Sequence, residues 1–158
     1  MLTDSFAAFR HALHRAARQP NRAPRLYLAV PYTVDYSRHS QLWETIHFQQ
    51  VTLAASVLIR DGFTVFSPIT HSHTISTLAA PDLVHRADIW LPQDEQFLQW
   101  ADALVLLKLE YWNTSSGVVQ ERLWAKELSI PLYIITMSDI YDLEEHHYGT
   151  RKIDVRES

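Results

Sequence analysis

The sequence predicts a three-layer α/β fold, a parallel sheet with helices on both faces. Two observations carry this. Four short apolar runs, Leu26–Val30, Phe63–Phe66, Ala103–Leu109 and Pro131–Thr136, have the near-continuous hydrophobicity of strands buried on both sides. Helix-length segments separate them, as parallel crossovers require. The expected strand order is 2-1-3-4, with room for a fifth edge strand.

The elements follow in order. Residues 4–18 read as an amphipathic helix with Phe6, Phe9, Leu13 and Ala17 at helical spacing. Gln19-Pro20-Asn21-Arg22-Ala23-Pro24 breaks it. Residues 1–24 are therefore taken as an accessory helix and linker, and residues 25–158 as a single α/β domain. Pro31 ends the first strand, and a polar loop from Tyr32 to His39 follows. Residues 40–60 read as a helix with Leu42, Ile46, Leu53 and Val57 as its buried stripe, stopped by Asp61-Gly62. Ser67-Pro68 ends the second strand. Ile69 to Ile89 reads as irregular. Pro92-Gln93-Asp94-Glu95 has the bias of a helix start. The third strand leads through Trp112-Asn113-Thr114-Ser115-Ser116-Gly117 into a helix over 117–128, and then the fourth strand. The tail from Met137 to Ser158 is polar, with a short helix around Ile140–Glu145. The whole is a Rossmann-like (flavodoxin-like) arrangement.

Composition narrows the function. The chain has 158 residues, 47% hydrophobic and 20% charged, with net charge −4, so it carries no basic surface for a nucleic-acid polymer. It contains no cysteine, which excludes disulfides and thiolate metal sites and fits a cytoplasmic location. No apolar run nears the roughly 18 residues of a membrane span. With only three glycines there is no G-x-G-x-x-G and no G-x-x-x-x-G-K. No cofactor is implied.

In such a sheet, ligands bind outside the carboxyl ends of the strands. Tyr27 and Tyr32 come from or follow the first strand, His71 follows the second, and Ser115, Ser116, Gly117 and Glu121 follow the third. Ser-Ser-Gly at a helix N-terminus favours an anion. Asp94 reaches the same rim if the 70s segment folds over it. Two carboxylates in different surroundings can divide nucleophile and acid roles at a glycosidic carbon. The plain alternative is a solvated Glu121 capping its own turn. His71 and His73 on an extended segment would share a face, but no third ligand is placed by spacing, so no metal is expected. His71 is instead assigned to a pocket wall, His73 to a loop, His146-His147 to solvent, and Trp112 to stacking.

Three features then form a pattern. Tyr27 lies inside the first strand. Asp94 stands eight residues before Asp102, which opens the third. Gly117 stands four before Glu121, with Ala125 four beyond. Over residues 25–136 the sequence resembles the nucleoside 2-deoxyribosyltransferase family, which includes the nucleoside 5′-monophosphate N-glycosidases. The resemblance implies Glu121 as a nucleophile forming a glycosyl-enzyme, Tyr27 orienting it, and Asp94 serving the base as proton donor. It implies a site on a homodimer or higher homo-oligomer, with the tail near the neighbour's site. Ser115, where the transferases usually carry Asp, implies a nucleoside 5′-monophosphate rather than a nucleoside. Val30-Pro31, Val119 and Leu123 stand where the family often carries Gly-Ser, Gly and Gly. Because Pro31 has no amide to donate, phosphate contacts on that side fall to Tyr32, Thr33, Ser37 or Arg38. The expected function is hydrolysis of a nucleoside monophosphate's base–sugar bond. Deoxyribosyl transfer and a non-catalytic nucleotide-binding or sensing module stand as alternatives. A phosphoribohydrolase of the lysine-decarboxylase-like type would need a P-G-G-x-G-T segment, which is absent.

Overall fold

A computed structural model of the chain describes residues 4–31 and 40–148. The elements in order are α1 (Asp4–His14), β1 (Arg25–Ala29), α2 (Ser40–Arg60), β2 (Thr64–Phe66), α3 (Pro68–Leu78), a 3-10 turn (Pro81–Leu83), α4 (Ala87–Trp100), β3 (Ala103–Leu107), α5 (Ser116–Glu127), β4 (Leu132–Ile135) and α6 (Met137–Tyr148). The sheet is all parallel in the order β2-β1-β3-β4, with β1 and β3 in the centre, four strands among the described residues. The expected fold class and strand order are both observed.

The alternation of strand side chains divides the core. Leu26, Leu28, Val105 and Leu107 face one side, where they meet Val51, Ala54 and Val57 of α2 and Ile140 and Leu143 of α6. Tyr27, Ala29, Leu104 and Leu106 face the other, against Leu98 of α4 and Val118 and Ala125 of α5. α1 lies on the α2 side, with Leu13 in the core and Phe9 edge-on to Tyr133 at 5.3 Å.

Three local expectations are corrected. The stretch read as irregular is α3 and the start of α4. Ser67-Pro68 is a helix start as well as a strand end: the Ser67 hydroxyl accepts from the Thr70 amide at 3.3 Å, and Pro68 takes the first turn, where its missing N–H costs nothing. Helix α4 begins at Ala87, so Pro92 is inside it and Asp94 lies mid-helix rather than at its start. The buried face of α2 is Glu44, His47, Val51, Ala54, Val57 and Leu58, and Leu42 is 61% exposed. The predicted stripe was a residue or two out of register at the helix start, which brings two polar residues inward.

Two buried carboxylates hold the amino-terminal end of the sheet. Asp102, just before β3, accepts from Arg22 Nη1 at 2.6 Å and Nη2 at 2.9 Å, and from the Arg25 and Arg18 amides at 2.8 and 3.0 Å. Burial alone would raise this carboxyl, but these donors outweigh it and hold it far below the usual carboxylate range. Asp61, after α2, accepts from Arg10 Nε at 2.7 Å and bonds His147 and His14 at 2.7 and 3.1 Å, clasping α1 and α6 to α2. His147 is therefore a structural partner and not a solvated tail residue.

Asp102→Asn is expected to lower the urea midpoint clearly, because Arg22 loses its anion and the amide keeps one acceptor oxygen while its NH2 faces donors. Asp88→Asn, which removes an exposed pair with Arg86, is expected to be nearly silent. Equal effects in equilibrium unfolding would contradict the anchoring role of Asp102.

Candidate functional site

The carboxyl ends of β1 and β3 open into a cavity of about 330 Å³. The N-terminus of α5 forms one wall with Ser115, Ser116, Gly117, Gln120 and Glu121. α3 contributes Ile69, Ser72, His73 and Ser76, and α4 contributes Trp90, Leu91 and Asp94. Val84 and His85 close the far side, and Val30 lies at the end of β1. Apolar walls with a few convergent polar groups are the usual character of a small-molecule site.

Glu121 sits one turn into α5 on its inward face, and Asp94 points from the middle of α4. They are 6% and 8% exposed. Tyr27 rises from β1 behind them with no exposure. Glu121 Oε2, Asp94 Oδ1 and the Tyr27 hydroxyl are all buried without a hydrogen-bond partner. The Tyr27 hydroxyl stands close enough to Glu121 for a hydrogen-bonding interaction to shift the proton affinity of both, though its geometry falls short of a well-formed bond. Buried polar groups without partners are uncommon and costly. Two others among the described residues are ring or guanidinium nitrogens, Arg22 Nε and His71 Nδ1, and the other buried carboxylates are all partnered. Of the five buried acidic side chains among the described residues, Asp61 and Asp102 meet arginines and Glu44 meets His85 at 2.6 Å. The unpartnered pair is the one that faces the cavity.

Electrostatics follows from this. Burial raises the Glu121 carboxyl to about 8, opposed by the nearby Tyr27 hydroxyl and reinforced by Asp94. Burial raises Asp94 to about 7. Tyr27 is held well above its ordinary value by burial and by the charges of Glu121 and Asp94. Near neutrality the pair thus holds at least one proton and titrates as a unit. Such a site can offer a carboxylate and a carboxylic acid together.

An aromatic bed fixes these groups. Phe66 of β2 tilts against Tyr27 at 5.7 Å and stacks on Phe97 of α4 at 3.8 Å. Trp90 and Phe97 flank Asp94 by four and three residues on one helix face. His71 packs edge-on against both, at 5.9 and 6.0 Å. His71 is thus part of the bed beneath the site and not of the cavity wall, a correction to its expected place. The wall histidines are His85 and His73, the latter stacked on Phe48 at 4.2 Å. On a helix, residues two apart point about 200° apart, so the extended-segment pairing of His71 and His73 does not exist. No group of three or more His, Asp or Glu among the described residues is placed to hold a metal. Trp112 does not line the cavity either. It lies under the side chains of Lys108 and Arg122, at 5.4 and 5.9 Å. Tyr32 and Arg38, with Thr33 and Ser37, lie outside the described residues.

At the α5 wall, Ser115 occupies the N-cap position, but its side chain makes no capping bond. Its hydroxyl, in a residue 9% exposed, is left to the cavity. A Cβ added at Gly117 would meet only Ser115 Oγ, at 3.9 Å. The protein itself therefore does not require glycine there; close approach of a ligand to the helix amides would. Val119 and Leu123 are 42% and 51% exposed and absent from the cavity lining, so these departures from the glycine pattern leave the pocket unchanged. Pro31 is engaged through its carbonyl, which accepts from His47 Nδ1.

Sequence reasoning missed Glu44, His47, His85 and Gln120. Glu44 binds His85, which lines the cavity with its backbone in the left-handed region at φ 58°. The signal was present: Glu44 and His47 fall at i and i+3 in register with Val51, Ala54 and Leu58, as polar residues on a face that is otherwise apolar.

The fold and site define an α/β protein with a ligand-sized cavity at the carboxyl ends of a parallel sheet and an unpartnered pair of carboxyl groups at its floor. The chain belongs to the family described as a domain of unknown function, DUF1937, which matches residues 24–137, from the residue before β1 to the first residue of α6. No curated protein matches it. No helix among the described residues is long and apolar enough to cross a membrane.

Raised carboxyl groups make stability depend on pH. Between the ordinary carboxylate range and the values at the site, the folded protein binds more protons than the unfolded chain, so stability falls as pH rises through that window. Glu121→Gln should therefore stabilise the protein above about pH 8, by on the order of a few kcal/mol, and lose that advantage below about pH 4. Thermal melts of both proteins across pH check this. A difference that does not change with pH contradicts the burial of an ionisable Glu121.

Proposed function

We propose that the protein is an N-glycosidase that hydrolyses the base–sugar bond of a nucleoside 5′-monophosphate. The observation that carries the reading is that Glu121 and Asp94, each with a buried unpartnered oxygen, line one cavity, with the buried and unpartnered Tyr27 hydroxyl near both behind its wall. The resemblance of Tyr27, Asp94 and Gly117–Glu121 to the nucleoside 2-deoxyribosyltransferase pattern supports it.

In this mechanism Glu121 attacks the anomeric carbon, and its bond to carbon forms as the bond to the base nitrogen breaks. Asp94 gives its proton to the departing base. Water then cleaves the glycosyl ester, with Asp94 taking the water's proton as general base. The reacting state has Glu121 ionised and Asp94 protonated, which is the minor arrangement of the shared proton, because burial raises Glu121 above Asp94. A hydrogen bond donated by Tyr27 favours the charge on Glu121. The 5′-phosphate lies at the α5 N-terminus, where Ser115, Ser116 and the helix amides favour an anion. The base lies against Ile69, Trp90 and Leu91. Transfer of the sugar to a second base is the variant of the same chemistry. Of the departures that motivated the non-catalytic sensing module, Val119 and Leu123 lie outside the cavity while Val30 lines it; the module is disfavoured because Tyr27, Asp94 and Glu121 are all retained.

Incubation with a panel of nucleosides and their 5′-monophosphates, followed by chromatography for free base, tests the reading. Base release is expected from a monophosphate. Glu121→Gln should abolish it while ligand binding persists, and Tyr27→Phe should slow it less. No release from any member of the panel contradicts the proposal. The active state holds one proton on the carboxyl pair, so kcat/KM should rise near pH 7 and fall near pH 8. A profile flat over that range contradicts the shared-proton account.

Ser115 sets the phosphate preference. One charge-assisted hydrogen bond is worth roughly 1.5–3 kcal/mol, or about 10- to 150-fold in kcat/KM. Ser115→Asp should lower the ratio of monophosphate to nucleoside kcat/KM by at least that much, because a carboxylate then faces the phosphate. A ratio that does not move removes Ser115 from the phosphate site.

A further inference from the structure

Helix α3 turns two serines into the cavity. Ile69, Ser72 and Ser76 fall at i, i+3 and i+7, so they share one helix face, and all three line the cavity. Ser72 and Ser76 are 9% and 5% exposed. Neither hydroxyl bonds any protein group among the described residues, and neither is sealed in the core, so each opens to the cavity.

The other hydroxyls of this segment are all engaged. Thr70 and Thr74 turn back on their own chain and donate to the carbonyls of Ser67 and Thr70 at 3.0 and 2.7 Å, and the Ser67 hydroxyl caps the helix. A hydroxyl inside a helix has such a carbonyl in reach one turn back. Ser72 and Ser76 leave theirs unused. Polar groups this far from bulk water usually find a partner. Alanine would fill the same wall with no polar atom to satisfy, so packing gives no reason for serine at these two places. A ligand that bonds both hydroxyls does.

Spacing says what that ligand presents. Side chains four apart on a helix have Cβ atoms about 5–6 Å apart. Two hydroxyls at that spacing meet two polar groups set on either side of one ring atom. Each hydroxyl can donate and accept, so an oxo or an amino group serves at either place. We propose that Ser72 and Ser76 read the hydrogen-bonding edge of the base, one hydroxyl for each of two exocyclic groups that flank a ring nitrogen. The proposal rests on the glycosidase reading, which sets the phosphate at the α5 N-terminus and the sugar over Glu121. That leaves the base to the side of Ile69, Trp90 and Leu91, where the serines are. Guanine, uracil, thymine and cytosine carry such a pair of groups. Adenine and hypoxanthine carry one group and engage one serine only.

Guanosine and inosine 5′-monophosphates differ only in the 2-amino group. Their binding to full-chain Glu121→Gln, compared with the same sugar in ribo and in deoxy form, is measured by isothermal titration calorimetry. The guanosine nucleotide should bind about 2- to 10-fold tighter, the worth of one neutral hydrogen bond. Of Ser72→Ala and Ser76→Ala, each added to that protein, one should weaken the guanosine nucleotide alone and erase the preference. The other should weaken both nucleotides alike. If a serine variant does not fold, the preference in the parent protein decides alone. Equal binding, a preference for inosine, or no binding of either nucleotide overturns the proposal, as does a preference that survives both substitutions. Failure of the glycosidase reading shows separately, as binding without base release by the wild type.

Discussion

Two carboxyl groups that share one buried floor without a cation between them set the terms for the rest of the molecule. An isolated buried carboxylate is expensive, and two that face each other are more so. The site meets this cost by keeping at least one proton on the pair near neutrality. The arrangement persists because the surrounding structure holds it. β1 fixes Tyr27, α5 fixes Glu121, and the aromatic bed of Phe66, Phe97, Trp90 and His71 fixes Asp94. Repacking any one of these elements would let the carboxyl groups reach water and lose their raised proton affinity.

The contrast between the two ends of the sheet makes the same point. At the amino-terminal end, Asp61 and Asp102 are fully buried but meet arginine, and both stay ionised. They tie α1, the linker and α6 to the sheet. At the carboxyl end the partners are withheld, and the unmet hydrogen-bonding capacity is directed into a cavity. One end anchors the fold and the other is available to a ligand, a division that follows from the parallel topology.

Much of this was legible in the sequence. The strands were visible because central parallel strands are apolar on both faces, and strand order followed from crossover handedness. Tyr27, Asp94, Ser115 and Glu121 were found by their spacing relative to strand ends, and Tyr27, Asp94 and Glu121 do converge. What escaped notice had physical reasons. Ser67-Pro68 satisfies a strand end and a helix start equally well, so α3 was hidden. Pro92 signalled a helix start because its cost inside α4 is offset by tertiary packing that no local rule includes. Glu44 and His47 were missed because the register of α2 was taken from Leu42, whose side chain is in solvent. His71 was placed in the wall and His73 in a loop because a helical twist was read as an extended alternation.

The central claim is that Glu121 acts as a nucleophile and not merely as a charged wall. Stereochemistry separates these directly. If the reaction is run in buffer containing methanol, the alcohol intercepts the second step and leaves a methyl glycoside whose anomeric configuration does not drift. Two displacements at the anomeric carbon, the first by Glu121, predict the β-methyl product from a β-nucleotide, identified by its anomeric proton in NMR. The α-methyl product would mean a single displacement with a carboxylate acting only as base, and would contradict the account.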